Sequence, residues 1–181
     1  MSALLIQQAT QARRDKRLAD AHRGFVEAVA LCRKAGTKRE LIQALTGLGQ
    51  IERDLGRLDR AQTLYEEAVA LCRQHEDTLI LAHTLRHLGD IHRSARQAEL
   101  AEPCYREALA LYRSNEQTPP VDLANALRPL AILREGQGEI DEARALWEQA
   151  RNLYEAAGVE GGVAESSVRL KRLRGHDSGQ H

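Results

Sequence analysis

His83 and His87 stand four residues apart, and Asp90 and Ser94 continue the same step of three or four. That spacing sets side chains on one face of a helix. The chemistry to test first is therefore a histidine metal pair or a serine–histidine–aspartate relay. Two histidines leave a zinc site short of ligands. The stretch reads His83-Thr84-Leu85-Arg86-His87, without the general-base glutamate of the HExxH pattern. A serine in mid-helix has no free backbone amides beside it to build an oxyanion hole, and no glycine elbow presents Ser94. The stripe is expected to be a solvated face that contacts a ligand. No catalytic residue, metal or cofactor is expected, and a metal-binding or hydrolytic protein built on His83 and His87 stands as the remote alternative.

The elements that carry this stripe follow from a repeat. EAVALCR occupies residues 27–33 and again 67–73, and EALALYR occupies 107–113. Ala21, Ala61, Ala101 and Ala143 head four matching segments, followed four residues later by Phe25, Tyr65, Tyr105 and Trp147. Leu5, Leu45, Leu85 and Leu127 align upstream, as do Ala9, Gly49, Gly89 and Ala131. The offsets are 40, 40 and 42, with the two extra residues at Thr118-Pro119-Pro120. Four copies of one unit are present, and each is a piece that cannot bury its apolar face alone.

Each copy holds two helical patterns. Leu41, Leu45, Leu48, Ile51 and Leu55 step by three or four, Gly56 supplies a stop, and Ala61, Leu64, Tyr65, Ala68, Leu71 and Cys72 form a second run. Thr37-Lys38-Arg39-Glu40 reads as a capping box, and Thr118 as a cap ahead of a proline at the first helical position. Glycine in mid-helix costs about 1 kcal/mol relative to alanine, so Gly49 and Gly89 at one register imply a closely approaching partner helix. No stretch sustains two-residue alternation. The fold class is all-α.

The order Leu48-Gly49 or Leu88-Gly89, then Ala61, Tyr65 and Ala68, resembles the tetratricopeptide repeat over about residues 3–158, in the long-helix variety of kinesin light chains and bacterial regulators. The family's tyrosine three residues after the glycine is replaced by Ala12, Glu52, His92 and Arg134. The resemblance implies a right-handed α-solenoid, one domain over 1–174, with repeats at about 1–36, 37–76, 77–117 and 118–158. A capping helix at about 160–174 and a disordered tail at 175–181 complete it. It further implies a concave groove lined by the first helix of each copy. The groove residues would be Ile6, Thr10 and Arg13 in the first copy and Gln43, Thr46, Gln50 and Arg53 in the second. In the third they would be His83, Arg86, His87, Asp90 and Arg93, and in the fourth Asn125, Arg128, Ile132 and Glu135. The function implied is a non-catalytic adaptor or scaffold that binds a peptide or helix of a partner protein; a ligand- or peptide-sensing regulatory domain is the alternative. The lysine–asparagine clamp of some members is not evident.

Composition agrees. The 181 residues are 43% hydrophobic but only 3% aromatic, and the net charge is zero. The six aromatics fall in two core registers, Phe25/Tyr65/Tyr105/Trp147 and Tyr112/Tyr154, which leaves no platform for stacking bases. No nucleic acid and no membrane partner are expected, since no apolar run approaches a membrane span. Cys32, Cys72 and Cys104 read as reduced core thiols of a cytoplasmic protein, with Cys32 and Cys72 on stacked equivalent positions that should not bridge. Residues 1–36 hold seven Lys/Arg against three Asp/Glu, and 118–158 hold four against seven. This asymmetry could steer an acidic partner or drive weak head-to-tail self-association.

Loss of a large buried ring costs about 3–5 kcal/mol. By register, Tyr65→Ala is expected to lower the melting temperature further than Tyr112→Ala, since all four copies place an aromatic at the former position.

Overall fold

In the computed structural model, which describes residues 1–74 and 77–177, every regular element of the described residues is an α-helix. The helices are α1 (Ser2–Arg14), α2 (Leu18–Ala35), α3 (Lys38–Asp54), α4 (Leu58–Arg73) and α5 (Thr78–Ser94). They continue as α6 (Ala98–Ser114), α7 (Pro120–Gln137), α8 (Ile140–Ala156) and α9 (Glu160–Asp177). These are the two helical patterns of each copy and the C-terminal helix. That helix runs on to Asp177, past the expected start of the tail. Residues 178–181 of the expected disordered tail, and the end of the second copy at 75–76, lie outside the described residues.

The chain divides into two compact units, Met1–Gln97 and Ala98–His181. In the first, each helix packs on its chain neighbour, except that α1 also meets α3. In the second, α6 packs on α7, α7 on α8 and α8 on α9.

Packing confirms the small-residue register. A Cβ at Gly49 would lie 2.8 Å from Tyr65 Cε2, and one at Gly24 would lie 2.9 Å from the Ala9 Cβ. A Cβ at Gly47 would run into the Phe25 ring and one at Gly162 into Tyr154, two contacts that the repeat alignment does not flag. Interiors are packed at crystal-like density, so these notches are filled by rings rather than left as voids. All six aromatics are buried. Tyr112 is as deeply covered as Tyr65, at 2% and 0% exposure, so the expected gap between their alanine variants has no basis in burial. Cys32 and Cys72 are buried free thiols, and burial pushes the Cys72 thiol pKa up.

Two expected caps are replaced. Thr37 stands at the N-cap of α3, but its hydroxyl makes no capping bond; Glu40 instead accepts a hydrogen bond from Ser2 across the α1–α3 contact, which draws the carboxylate away from the helix end. Thr118 donates to the Tyr112 carbonyl at 2.8 Å, which leaves Pro119 as N-cap and Pro120 as first residue of α7. Asp77 does cap α5, accepting from the Ile80 amide at 3.1 Å.

The ends of the first helices share one device. The amides of Arg17, Arg57, Gln97 and Glu139 reach back to the carbonyls of Ala12, Glu52, His92 and Arg134 at 2.8–3.0 Å, the long bond of a Schellman turn. Such a turn needs a left-handed residue just before the donor. Gly56 and Gly138 fill it in two copies, while Lys16 (φ 60°) and Arg96 (φ 61°) fill it in the others. A side chain there costs about 1–2 kcal/mol, offset in part by glycine's larger loss of freedom on folding. In urea titrations Gly56→Ala should therefore lose about 1 kcal/mol, whereas Lys16→Gly and Arg96→Gly should be neutral or stabilising.

Candidate functional site

The first unit places α1, α3 and α5 so that polar positions from each surround a cavity of about 520 Å³. Of the residues singled out in the sequence, Ile6, Thr10 and Arg13 reach it from α1, Gln43, Thr46 and Gln50 from α3, and His83 from α5. The rest of its wall is apolar or small and was not anticipated: Phe25, Ile42, Gly47, Leu79 and Ile80, with Thr84. Gly47 is the cause of the aromatic floor. With no side chain on α3 at that point, the Phe25 ring of α2 slides beneath it and turns an edge to the cavity. A glycine two positions from the aligned Gly49 was the available signal.

Next to His83 on α5, Arg86, His87 and Asp90 form a second cluster. Arg86 Nη2 lies 2.8 Å from His87 Nε2, and its Nη1 lies 3.4 Å from Asp90. A guanidinium can only donate, so Nε2 accepts and His87 is neutral, with its Nδ1 nitrogen facing the Asp90 carboxylate at 3.5 Å, outside hydrogen-bonding geometry. The His83 and His87 rings meet edge to face at 4.6 Å, and His87 lies 5.9 Å from the Tyr65 ring. Desolvation lowers the pKa of His87, with Arg86 adding to the shift and Asp90 opposing it. His83 is lowered by desolvation first, then by the repulsion that protonating both it and His87 would bring and by the Arg86 charge. Its side chain still meets solvent. Arg93 continues the helix face one turn further and is half-buried.

Ser94, the would-be nucleophile of this stripe, donates instead to the Asp90 backbone carbonyl at 2.8 Å. Among the described residues no group of three His, Cys, Asp or Glu side chains is arranged to hold a metal ion.

Cations also gather around Tyr65. Its ring is fully buried and its hydroxyl has no partner of hydrogen-bonding geometry, although Gln50 lies near enough to act on it. Burial pushes its pKa up to about 12, against the opposing fields of Arg53, Arg13 and Arg86. Asp54 serves two of these arginines, Arg13 at 3.0 Å and Arg53 at 3.5 Å.

In the second unit, the candidate residues of the fourth copy are held by its own helices. Asn125 accepts from the Tyr154 hydroxyl at 2.8 Å. Arg128 makes a forked pair with Glu165 of α9 at 2.7 and 2.9 Å. Glu135 takes hydrogen bonds from Trp147, Arg169 and Arg172. Ile132 is half-buried between them in sequence. The first unit thus presents its polar face around a cavity, while α9 covers that of the fourth copy.

Lowered histidine pKa values move the expected pH response. With an ordinary pKa near 6.5, His83 and His87 would titrate across neutrality; here both are shifted to the acid side. The unfolded chain then binds more protons than the folded one below about pH 6.5, so their contribution to stability is present above that pH and lost as pH falls through it. Wild-type protein should lose more melting temperature between pH 8 and pH 5.5 than a His83→Gln/His87→Gln variant does.

The fold has known relatives. The crystal structure of BtubC (BKLC) from P. vanneervenii superposes with a TM-score of 0.62 at 20% identity, covering 99% of this chain and 91% of that one. Aspartyl phosphate phosphatase F from Bacillus subtilis matches with a TM-score of 0.84 at 16% identity, covering 93% of this chain and 44% of that one. A Rap protein complexed with Competence and Sporulation Factor gives 0.82 at 16% identity, over 91% and 45%. The chain spans less than half the length of these last two. No curated protein matches the sequence. The family model for the tetratricopeptide repeat matches residues 1–74 and 40–114. This chain belongs to the tetratricopeptide repeat family.

Proposed function

We propose that this chain is a non-catalytic interaction module whose first unit grips a segment of a partner protein. One observation carries the reading: three successive first helices converge on a cavity with an apolar floor and a polar wall that includes Arg13. Concave sites of this size, mostly apolar with a few placed polar groups, are where ligands bind. An extended segment offers such a site backbone carbonyls as well as side chains, and Gln43, Gln50, Arg53 and Arg86 supply amide and guanidinium donors to meet them. The Rap relative, whose printed partner is Competence and Sporulation Factor, makes a bound factor a reasonable expectation for a fold of this kind. No described helix is long and apolar enough to cross a membrane.

The test is affinity capture with the whole chain as bait, comparing wild type with Arg53→Ala/Arg86→Ala. Arg33→Ala, which removes an ion pair to Glu67 between α2 and α4, is the control. Arg53 and Arg86 are partly buried and paired, so the melting temperature of each variant is measured alongside to report folding. Partners lost by the double variant and kept by the control are the expected result; partners kept by both would place binding elsewhere.

A further inference from the structure

The turns that join the first helix of a copy to the second carry charges that the fold does not ask for. Short connections make neighbouring helices antiparallel, so α1, α3 and α5 end at one edge of the first unit. The Arg13–Asp54 pair at 3.0 Å ties the first two of these ends together. Two turns put a cation in the left-handed region, Lys16 and Arg96, where Gly56 and Gly138 serve the other copies. A side chain there is strained, and strain that persists points to a role other than folding. Arg17 and Arg57 stand at the N-caps of α2 and α4, where the helix dipole disfavours a positive charge.

Arg17 and Arg57 are answered by Asp15, Asp20 and Glu52. Arg14, Lys16, Arg60 and Arg96 are not: each is exposed and makes no ion pair among the described residues. The acids of the first two turns leave them uncompensated. Asp15, Asp20 and Asp54 are taken by Arg17, Arg23 and Arg13, and only Asp59 remains.

At the same turn the fourth copy reverses sign. The register Arg13, Arg53, Arg93 ends in Glu135, and the register Arg17, Arg57, Gln97 ends in Glu139. Glu135 is occupied by Arg169 and Arg172 of α9, but Glu139 is exposed and makes no ion pair. Asp141 is 95% exposed, and Glu142 is half-exposed beside Arg134. The dipole of α8 favours acids in its first turn; it does not explain cations at the caps of α2 and α4. The imbalance extends to the whole units. Residues 1–97 hold sixteen Lys/Arg against twelve Asp/Glu, and residues 98–181 hold ten against fourteen.

We propose that this edge is a contact between copies of the chain, in which the basic turns of one first unit receive the acidic fourth turn of another chain. None of Arg14, Lys16, Arg60, Arg96, Glu139 and Asp141 lines the cavity, so the contact stands apart from the groove reading. Each chain carries one edge of either sign, and two chains therefore pair reciprocally or continue as a row. Exposed charges act through water and are screened by salt, which makes the association weak and reversible.

The test is sedimentation velocity of the whole chain over a concentration series at ionic strengths of about 0.01 M and about 1 M, where screening lengths are about 30 Å and 3 Å. Wild type should associate in the first buffer and be monomeric in the second. Lys16→Gly/Arg96→Gly should keep or raise the melting temperature, by the turn argument above, and yet lose association; a purely structural role would not separate the two readouts. Lys16→Glu/Arg96→Glu and Glu139→Lys/Asp141→Lys should each be monomeric alone and associate when mixed, because reversing both sides restores the match. A monomeric wild type at low salt overturns the proposal, as does association undiminished at high salt. It is equally overturned by a folded glycine variant that associates like wild type, or by charge-reversed partners that stay apart on mixing. Binding of a short DNA duplex without self-association overturns it in favour of nucleic acid.

Discussion

An aromatic ring set against a helix that lacks a side chain at the point of contact is the interaction on which the first unit rests. Gly49 admits Tyr65 and Gly47 admits Phe25. The two contacts differ in consequence. The first closes a helical hairpin, since α3 and α4 belong to one copy. The second joins α2 to α3 across the boundary between copies and leaves the ring edge as the floor of the cavity. One packing solution therefore builds both the repeat and the site. Overpacking a core by even a methyl group costs about 1–3 kcal/mol, which explains why α3 tolerates two glycines despite their effect on helix propensity.

Much of this was legible because a repeat states its constraints several times. The paired helices of each copy and the aromatic registers followed from four aligned copies, with helix period and turn residues in agreement. Gly49 was visible because Gly89 repeats it. Gly47 was not, because its equivalents are Gln7, His87 and Pro129, so alignment dilutes it. The local caps at Thr37 and Thr118 failed for a related reason: a nearby tertiary acceptor or donor outcompeted the local one.

The site was half legible. Periodicity and family resemblance named positions on the first helices, and seven of them, six polar residues and Ile6, do line the cavity. The apolar wall from Leu79 and Ile80 was not named, since a sequence does not distinguish an apolar residue facing a neighbour from one facing a void. Nor could it show that Arg128 and Glu135 are answered by Glu165, Arg169 and Arg172. The register Ala12, Glu52, His92 and Arg134 makes a further point. Read as a departure from the family's tyrosine, it is buried in every copy, by Ala12 in the first and by a different polar lock in each of the other three: Glu52 with His22 at 2.8 Å and Arg57 at 3.4 Å, His92 with Gln97 at 2.9 Å, and Arg134 with Glu102 and Glu142. Buried polar groups that each require a particular partner discourage one copy from substituting for another, a safeguard that a chain of near-identical repeats needs.

The attachment of α9 gives the molecule a polarity of its own. Leu170 and Leu173 anchor the helix, but Arg128–Glu165 and the two arginines on Glu135 supply much of its grip, and such partly exposed pairs weaken as electrolyte rises. The apolar contacts of the first unit have no comparable sensitivity. Concentrated brine and mechanical pulling should thus find the same weak seam, and the chain should peel from its C-terminal end like a zip with one soft tooth, baring the Asn125, Arg128 and Glu135 face before the aromatic seats of the first unit are disturbed.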